Sequence, residues 1–148
     1  MGLFDQVLNE RSTASTDFSP AEAFAAIALV AIASDGHFSE EEIDLINTSL
    51  RRMQLFKSYP VDVLRRMYDK LFGILRRNGI NSLLDTAKSA LPYDLREPAF
   101  AIATDLILSD GTVTTEEEAF LNQLCQSLEI NSATALKTVE VMLIKNRG

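Results

Sequence analysis

One motif occurs twice, and its repetition constrains the fold more than any other feature of the chain. Ser34-Asp35-Gly36-His37-Phe38-Ser39-Glu40-Glu41-Glu42 returns as Ser109-Asp110-Gly111-Thr112-Val113-Thr114-Thr115-Glu116-Glu117. The two aspartates stand 75 residues apart. Each copy follows an apolar, alanine-rich run and precedes an amphipathic helical pattern. The expected architecture is a tandem duplication of a helix–acidic turn–helix unit.

The segments around the motif read as helix almost throughout. Residues 3–10 predict a short first helix and 12–17 a polar loop. Ser19 and Pro20 form a helix start, with Ser at the cap and Pro in the first turn. The run that follows, to about Ser34, is apolar nearly all round, which places it in the centre of a fold. Ser39 caps a helix to about 54, and Glu42 completes a capping box. Ser58 and Pro60 open a helix that Gly79 should stop. Asn81 starts a shorter one that Pro92 breaks. Pro98 opens the second central helix, which Asp105 interrupts. Thr114 with Glu117, then Asn131, start the last two. No segment alternates as a strand would.

The expected fold is therefore all-α: a single compact domain of six to eight helices built from two pseudo-equivalent repeats. The organisation is a short N-terminal segment 1–18, repeat one at about 19–57, middle helices at about 58–91 and repeat two at about 92–148. Residues 20–34 and 98–109 should be buried helices related by a pseudo-twofold, close-packed through Ala25, Ala28, Ala101 and Ala103.

Composition narrows the function. The net charge of −7 argues against nucleic acid as a partner. The charge is unevenly spread. Residues 51–96 hold ten of the fourteen bases and four acids, so that segment is +6. It reads as solvated arginine-rich helix faces, or as a basic face for anionic lipid or an acidic partner. The chain start lacks the pattern of a signal peptide, and the longest apolar run, Ala23 to Ala33, is too short to span a bilayer. The one cysteine, Cys125, sits among Leu121, Leu124 and Leu128 and reads as a buried thiol. There is no Gly-rich phosphate loop, HExxH or CxxC, so the reading is non-enzymatic.

The acidic turn has two readings. In one it is structural: Asp35 and Asp110 brace a tight turn, Gly36 and Gly111 supply a left-handed backbone, and Glu42 and Glu117 complete capping boxes. In the other it holds a cation. Counted against a calcium loop with Gly sixth and a bidentate Glu twelfth, Gly36/Glu42 and Gly111/Glu117 have the right separation. Asp35 and Asp110 match the fifth position. The first and third positions fail, falling on Ala31 and Ala33, and on Leu106 and Leu108. A complete EF-hand is excluded. A reduced oxygen site of Asp, a backbone carbonyl at His37 or Thr112, and Glu remains. His37, the one histidine, reads as a solvent-facing turn residue rather than a zinc ligand. The two turns are expected at opposite ends of the domain.

The doubled pattern of alanine-rich helix, Asp-Gly, Ser or Thr, and Glu resembles the TerB-like family of tellurite-resistance proteins. So do Leu91-Pro92 followed by Arg96, and Leu128-Glu129-Ile130 before the last helix. The resemblance implies an all-helical domain with an internal repeat and an acidic patch linked to divalent metal, calcium in particular. It implies a non-catalytic stress-response role in protein complexes at the cytoplasmic face of the membrane. Carried over by position, the metal residues are Asp35, Glu42, Asp110 and Glu117, with Glu41 and Glu116 adjacent. Ser34 and Ser109 depart from the Ala common before Asp-Gly. The expectation is a cytoplasmic or membrane-peripheral protein, not transmembrane. The alternative is a helical protein-interaction or membrane-peripheral module whose turns are purely structural.

Overall fold

A computed structural model describes residues 18–33 and 39–148. The predicted helix 3–10, the loop 12–17 and the turn residues 34–38 lie outside the described residues. Six α-helices are described: α1 Pro20–Ile32, α2 Glu40–Arg51, α3 Val61–Ala90, α4 Arg96–Ile107, α5 Thr115–Ser127 and α6 Ser132–Arg147. Short 3-10 turns at Gln54–Phe56 and Tyr93–Leu95 link α2 to α3 and α3 to α4. No strand occurs among the described residues, so the fold is all-α.

The centre is α1. Its start is fixed by chemistry written in four residues. Ser19 Oγ accepts from Glu22 N–H at 3.2 Å, Glu22 Oε1 accepts from Ser19 N–H at 2.9 Å, and Pro20 takes the first helical position. Beyond the first turn nothing polar interrupts the helix. Every residue from Ala23 to Ala31 is buried. Such a helix must be enclosed by others, and α1 packs against α3 and α4, with α2 also in contact. Ala25, Ala28 and Ala103 are buried as expected, whereas Ala101 is half-buried.

Larger side chains fill what the alanines leave. Phe56 presents its edge to Phe24 and to Tyr59, both at ring separations of 6.0 Å. Ile46 and Leu50 seat α2 on the core. Tyr68 of α3 donates to Asn47 Oδ1 of α2 at 3.3 Å, and burial pushes its phenol up to about 12 against the opposing charge of Arg51.

Gly79 behaves as its sequence position predicts. At φ 87° and ψ 171° it breaks the helical path of α3, and the chain resumes as helix at once, without a loop. Leu64, Met67, Tyr68 and Leu71 are buried before the break, and Leu83, Leu84 and Ala87 after it. The α3 start differs in detail from the expectation: Pro60 occupies the N-cap and no side chain caps it.

Among the described residues three ion pairs tie the helices to one another. Lys70 of α3 reaches Glu22 at 2.6 Å and lies over the Phe18 ring. Lys145 of α6 meets Asp105 at 3.1 Å, and Asn146 donates to the same oxygen at 2.9 Å. Asp105, which interrupts the apolar run of α4, thereby holds the last helix. Arg96 donates to Leu128 O at 3.3 Å and to Glu129 at 3.2 Å. Glu129 has φ 56°, the left-handed position of a Schellman turn in which Ile130 N–H bonds to Cys125 O at 2.9 Å. The Leu128-Glu129-Ile130 segment is therefore the stop of α5, and Arg96 pins it.

Two predictions follow from this packing. Ala28→Leu forces extra methylenes into a filled interior and should destabilise by about 1–3 kcal/mol in chemical denaturation; an unchanged midpoint would mean that α1 has space around it. Glu22 carries the second. Burial raises its carboxyl, but hydrogen bonds from Lys70 and the Ser19 N–H, with the Lys70 charge, hold it net below the ordinary 4.5. A depressed carboxylate stabilises the fold above the unfolded value, and that stabilisation is lost as pH falls through the folded one. Glu22→Gln should therefore lower stability at neutral pH and flatten its decline below about pH 4.5. An acid-unfolding curve parallel to the wild type would contradict it.

Candidate functional site

The second acidic turn is described in full. As α4 ends, Leu108 N–H bonds back to Thr104 O at 3.0 Å, and Gly111 N–H to Leu108 O at 3.0 Å. Gly111 sits at φ 80°. A Cβ there would meet nothing closer than Asn146 O at 3.8 Å, so backbone conformation, not crowding, calls for glycine. Asp110 Oδ1 then accepts from Thr112 N–H at 3.0 Å, closing an Asx turn. Thr114 has extended backbone, and its hydroxyl oxygen accepts from Glu117 N–H at 3.1 Å. Glu117 Oε1 accepts in return from Thr114 N–H at 2.9 Å.

These bonds use one oxygen of each carboxylate. Asp110 and Glu116 are exposed and Glu117 is half-buried. Glu116, Glu117 and Glu118 all lie in the first turn of α5, where the N-terminal end of the helix dipole favours negative charge.

The first turn is described from Ser39 onward. Ser39 Oγ accepts from Glu42 N–H at 3.1 Å, and Glu42 Oε1 from Ser39 N–H at 3.1 Å. Both sequence-predicted boxes therefore form, with the same pairing of atoms. Glu41 is exposed. Asp35 and His37 lie outside the described residues, and with them the separation of the two turns. Among the described residues no group of three or more His, Cys, Asp or Glu side chains is placed to hold a metal ion. The donors present in the second turn are hard oxygens, the type calcium and magnesium take. They number fewer than the six to eight such a cation needs, so backbone carbonyls and water would have to supply the rest.

The basic segment divides. Lys70 and Arg96 are held by Glu22 and Glu129. Arg65, Arg66, Arg76 and Arg77 are exposed along α3 and form no ion pair among the described residues. Among the described residues no helix is long and apolar enough to cross a membrane.

Two features escaped the sequence reading. One is Glu22: the spacing Ser19–Glu22 is the same Ser/Thr-x-x-Glu signal as the two motif copies, so it was there to be read. The other is an apolar groove of about 460 Å³ between α5 and α6, lined by Phe100, Leu121, Cys125, Leu136, Val139 and Leu143. Its signal was the Leu136-Val139-Leu143 spacing on a helix that buries no residue fully. Val113, from the acidic turn, lines one part of it. Cys125 is correspondingly only partly buried, and its thiol donates to Ile130 O at 3.5 Å.

No curated protein and no solved structure matches the chain. A protein family does: the family of tellurite resistance protein TerB matches residues 21–138, a span that starts in α1 and ends within α6. That span takes in both motif copies, the Leu91-Pro92 break, the Arg96 tether and the Leu128-Glu129-Ile130 stop, and the chain belongs to the TerB family.

Proposed function

We propose that this TerB-family chain is a non-enzymatic stress-response protein of the tellurite-resistance type that binds a divalent cation weakly at its acidic turns. The sites are Asp35 with Glu42 and Asp110 with Glu117, and calcium is the cation whose chemistry fits best. The observation that carries the reading is the second turn. Asp110 and Glu117 flank Gly111 in an open loop, each with one oxygen engaged by a backbone N–H and the other outside those bonds. A cation there would be met by two carboxylates and the Thr112 carbonyl, with water completing the shell. Few protein donors and high exposure make the affinity low, on the order of 10⁻⁴–10⁻³ M. The protein would work in the cytoplasm, at or near the inner membrane face, in complex with a protein partner.

A second reading is favoured by a specific observation. Arg65, Arg66, Arg76 and Arg77 stand exposed on one helix with no ion pair among the described residues. Near an anionic membrane each such residue contributes about 1 kcal/mol. In this reading the turns are structural and α3 is the working surface.

Both readings are testable. Calorimetric titration with calcium should give a saturable signal for the wild type, lost in Glu42→Gln/Glu117→Gln. Gln still serves in a capping box, so the fold should survive the change. Identical flat traces for both proteins would sink the cation reading. For the second, reversing Arg65 and Arg66 to Glu should abolish co-sedimentation with phosphatidylserine-containing vesicles. Vesicle binding that is absent in the wild type, or indifferent to the reversal, would remove its basis.

A further inference from the structure

The last helix is partnered on one side only. Ala135, Val139 and Met142 pack against the core, and Asn146 on the same side meets Asp105. On the other side Leu136, Val141 and Ile144 are 61%, 57% and 63% exposed. Large apolar side chains scattered singly over a surface are ordinary, but three on one face of one helix form a patch, and a patch marks an interaction site. Val141 and Ile144 lie beyond the residues that the TerB family matches, so this face is read from the chain's own sequence.

An α-helix turns by about 100° per residue, so Ala133, Leu136, Lys137, Glu140, Val141 and Ile144 share an arc of about 140°. All six are exposed. Lys137 and Glu140 form no ion pair among the described residues. Their charges cancel, so the face gives no cue for a strongly acidic or basic partner.

The order of residues along this face is self-complementary. Where two copies of one helix cross antiparallel about a twofold axis, positions equidistant from the axis face each other. With the axis at the level of Thr138 and Val139, Lys137 of each copy faces Glu140 of the other. Leu136 then faces Val141, and Ala133 faces Ile144. One register thus sets each charge against its opposite and each apolar residue against an apolar one. Moving the axis to the level of Lys137 or of Glu140 sets like charges against each other.

We propose that α6 pairs antiparallel with α6 of a second copy in this register, making the chain a weak symmetric dimer. The size of the face sets the strength. A helix of 16 residues is about 24 Å long. One such face against another buries well below the roughly 1,600 Å² of a standard interface. Association is therefore reversible, with a dissociation constant on the order of 10⁻⁴ M.

Sedimentation equilibrium of the full chain tests the pairing. From about 10 μM to about 1 mM the weight-average mass should climb from 16.4 kDa towards twice that value. A mass that stays at the monomer value throughout would overturn the proposal. Lys137→Glu and Glu140→Lys should each weaken dimerisation by at least about tenfold, since each sets two like-charge pairs across the axis. Mixed in equal amounts, the two variants should associate as well as the wild type, because both pairs across that heterodimer are again of opposite charge. Mixing cannot repair a misfolded chain, so recovery is specific to this register. Single variants that dimerise like the wild type, or a mixture no more associated than its components, would overturn the proposal.

Discussion

The structure depends on burying a helix that has no polar side. Residues Ala23–Ala31 of α1 are enclosed from all directions, and the hydrophobic effect that drives this is non-directional. Direction comes from size. Alanine offers little area but lets helix backbones come close, so α3 and α4 can both approach, and Phe24, Ile27 and Leu29 supply the area between them. A helix so enclosed leaves its polar chemistry to its ends. At the N-terminal end stand Ser19, Glu22 and Lys70. At the C-terminal end the chain passes into the first acidic turn.

The polar contacts serve to place the helices rather than to hold the protein together by themselves. Glu22 does two jobs with two oxygens, capping α1 and meeting Lys70. Asp105 accepts from both Lys145 and Asn146 and so fixes the end of α6. Arg96 sets the α5–α6 turn through a carbonyl and a carboxylate, and lies against Tyr93. Exposed ion pairs contribute little individually, about 0–1 kcal/mol. Their value lies in geometry: each one decides where a helix end sits.

Much of this was legible in the sequence because the signals are local. A Ser-x-x-Glu box, a Pro in a first turn and a Gly at a break act over three or four residues, and the boxes at Ser39 and Thr114 and the break at Gly79 formed as read. The run 23–33 was legible for a different reason: no polar residue gives it an outer face. What escaped is what depends on the meeting of distant residues. Asp105 read as an interruption because its partners lie 40 and 41 residues on. Cys125 read as buried because its neighbours in sequence are leucines, whereas its neighbours in space line a groove. Val141 of α6 is apolar yet 57% exposed, because it lies off the stripe that faces the other helices. The candidate site was legible as a pattern of residue types, and the capping roles of Glu42 and Glu117 followed from spacing. Ligation is not legible that way, because the same carboxylates serve a helix start whether or not a cation joins them.

The proposed second use of these carboxylates is the centre of the functional reading. A carboxylate already oriented by its own turn is preorganised, so a cation that meets it orders little further. Manganese(II) is a direct probe, since it favours the same oxygen donors and broadens NMR signals around wherever it binds. Added in substoichiometric amount to the isotope-labelled protein, it should erase the amide signals of residues 110–117 and 39–42 first, leaving those of Glu97 and Glu140 sharp. Broadening spread evenly over all exposed acids, or centred away from the two turns, would contradict cation binding at Asp35, Glu42, Asp110 and Glu117.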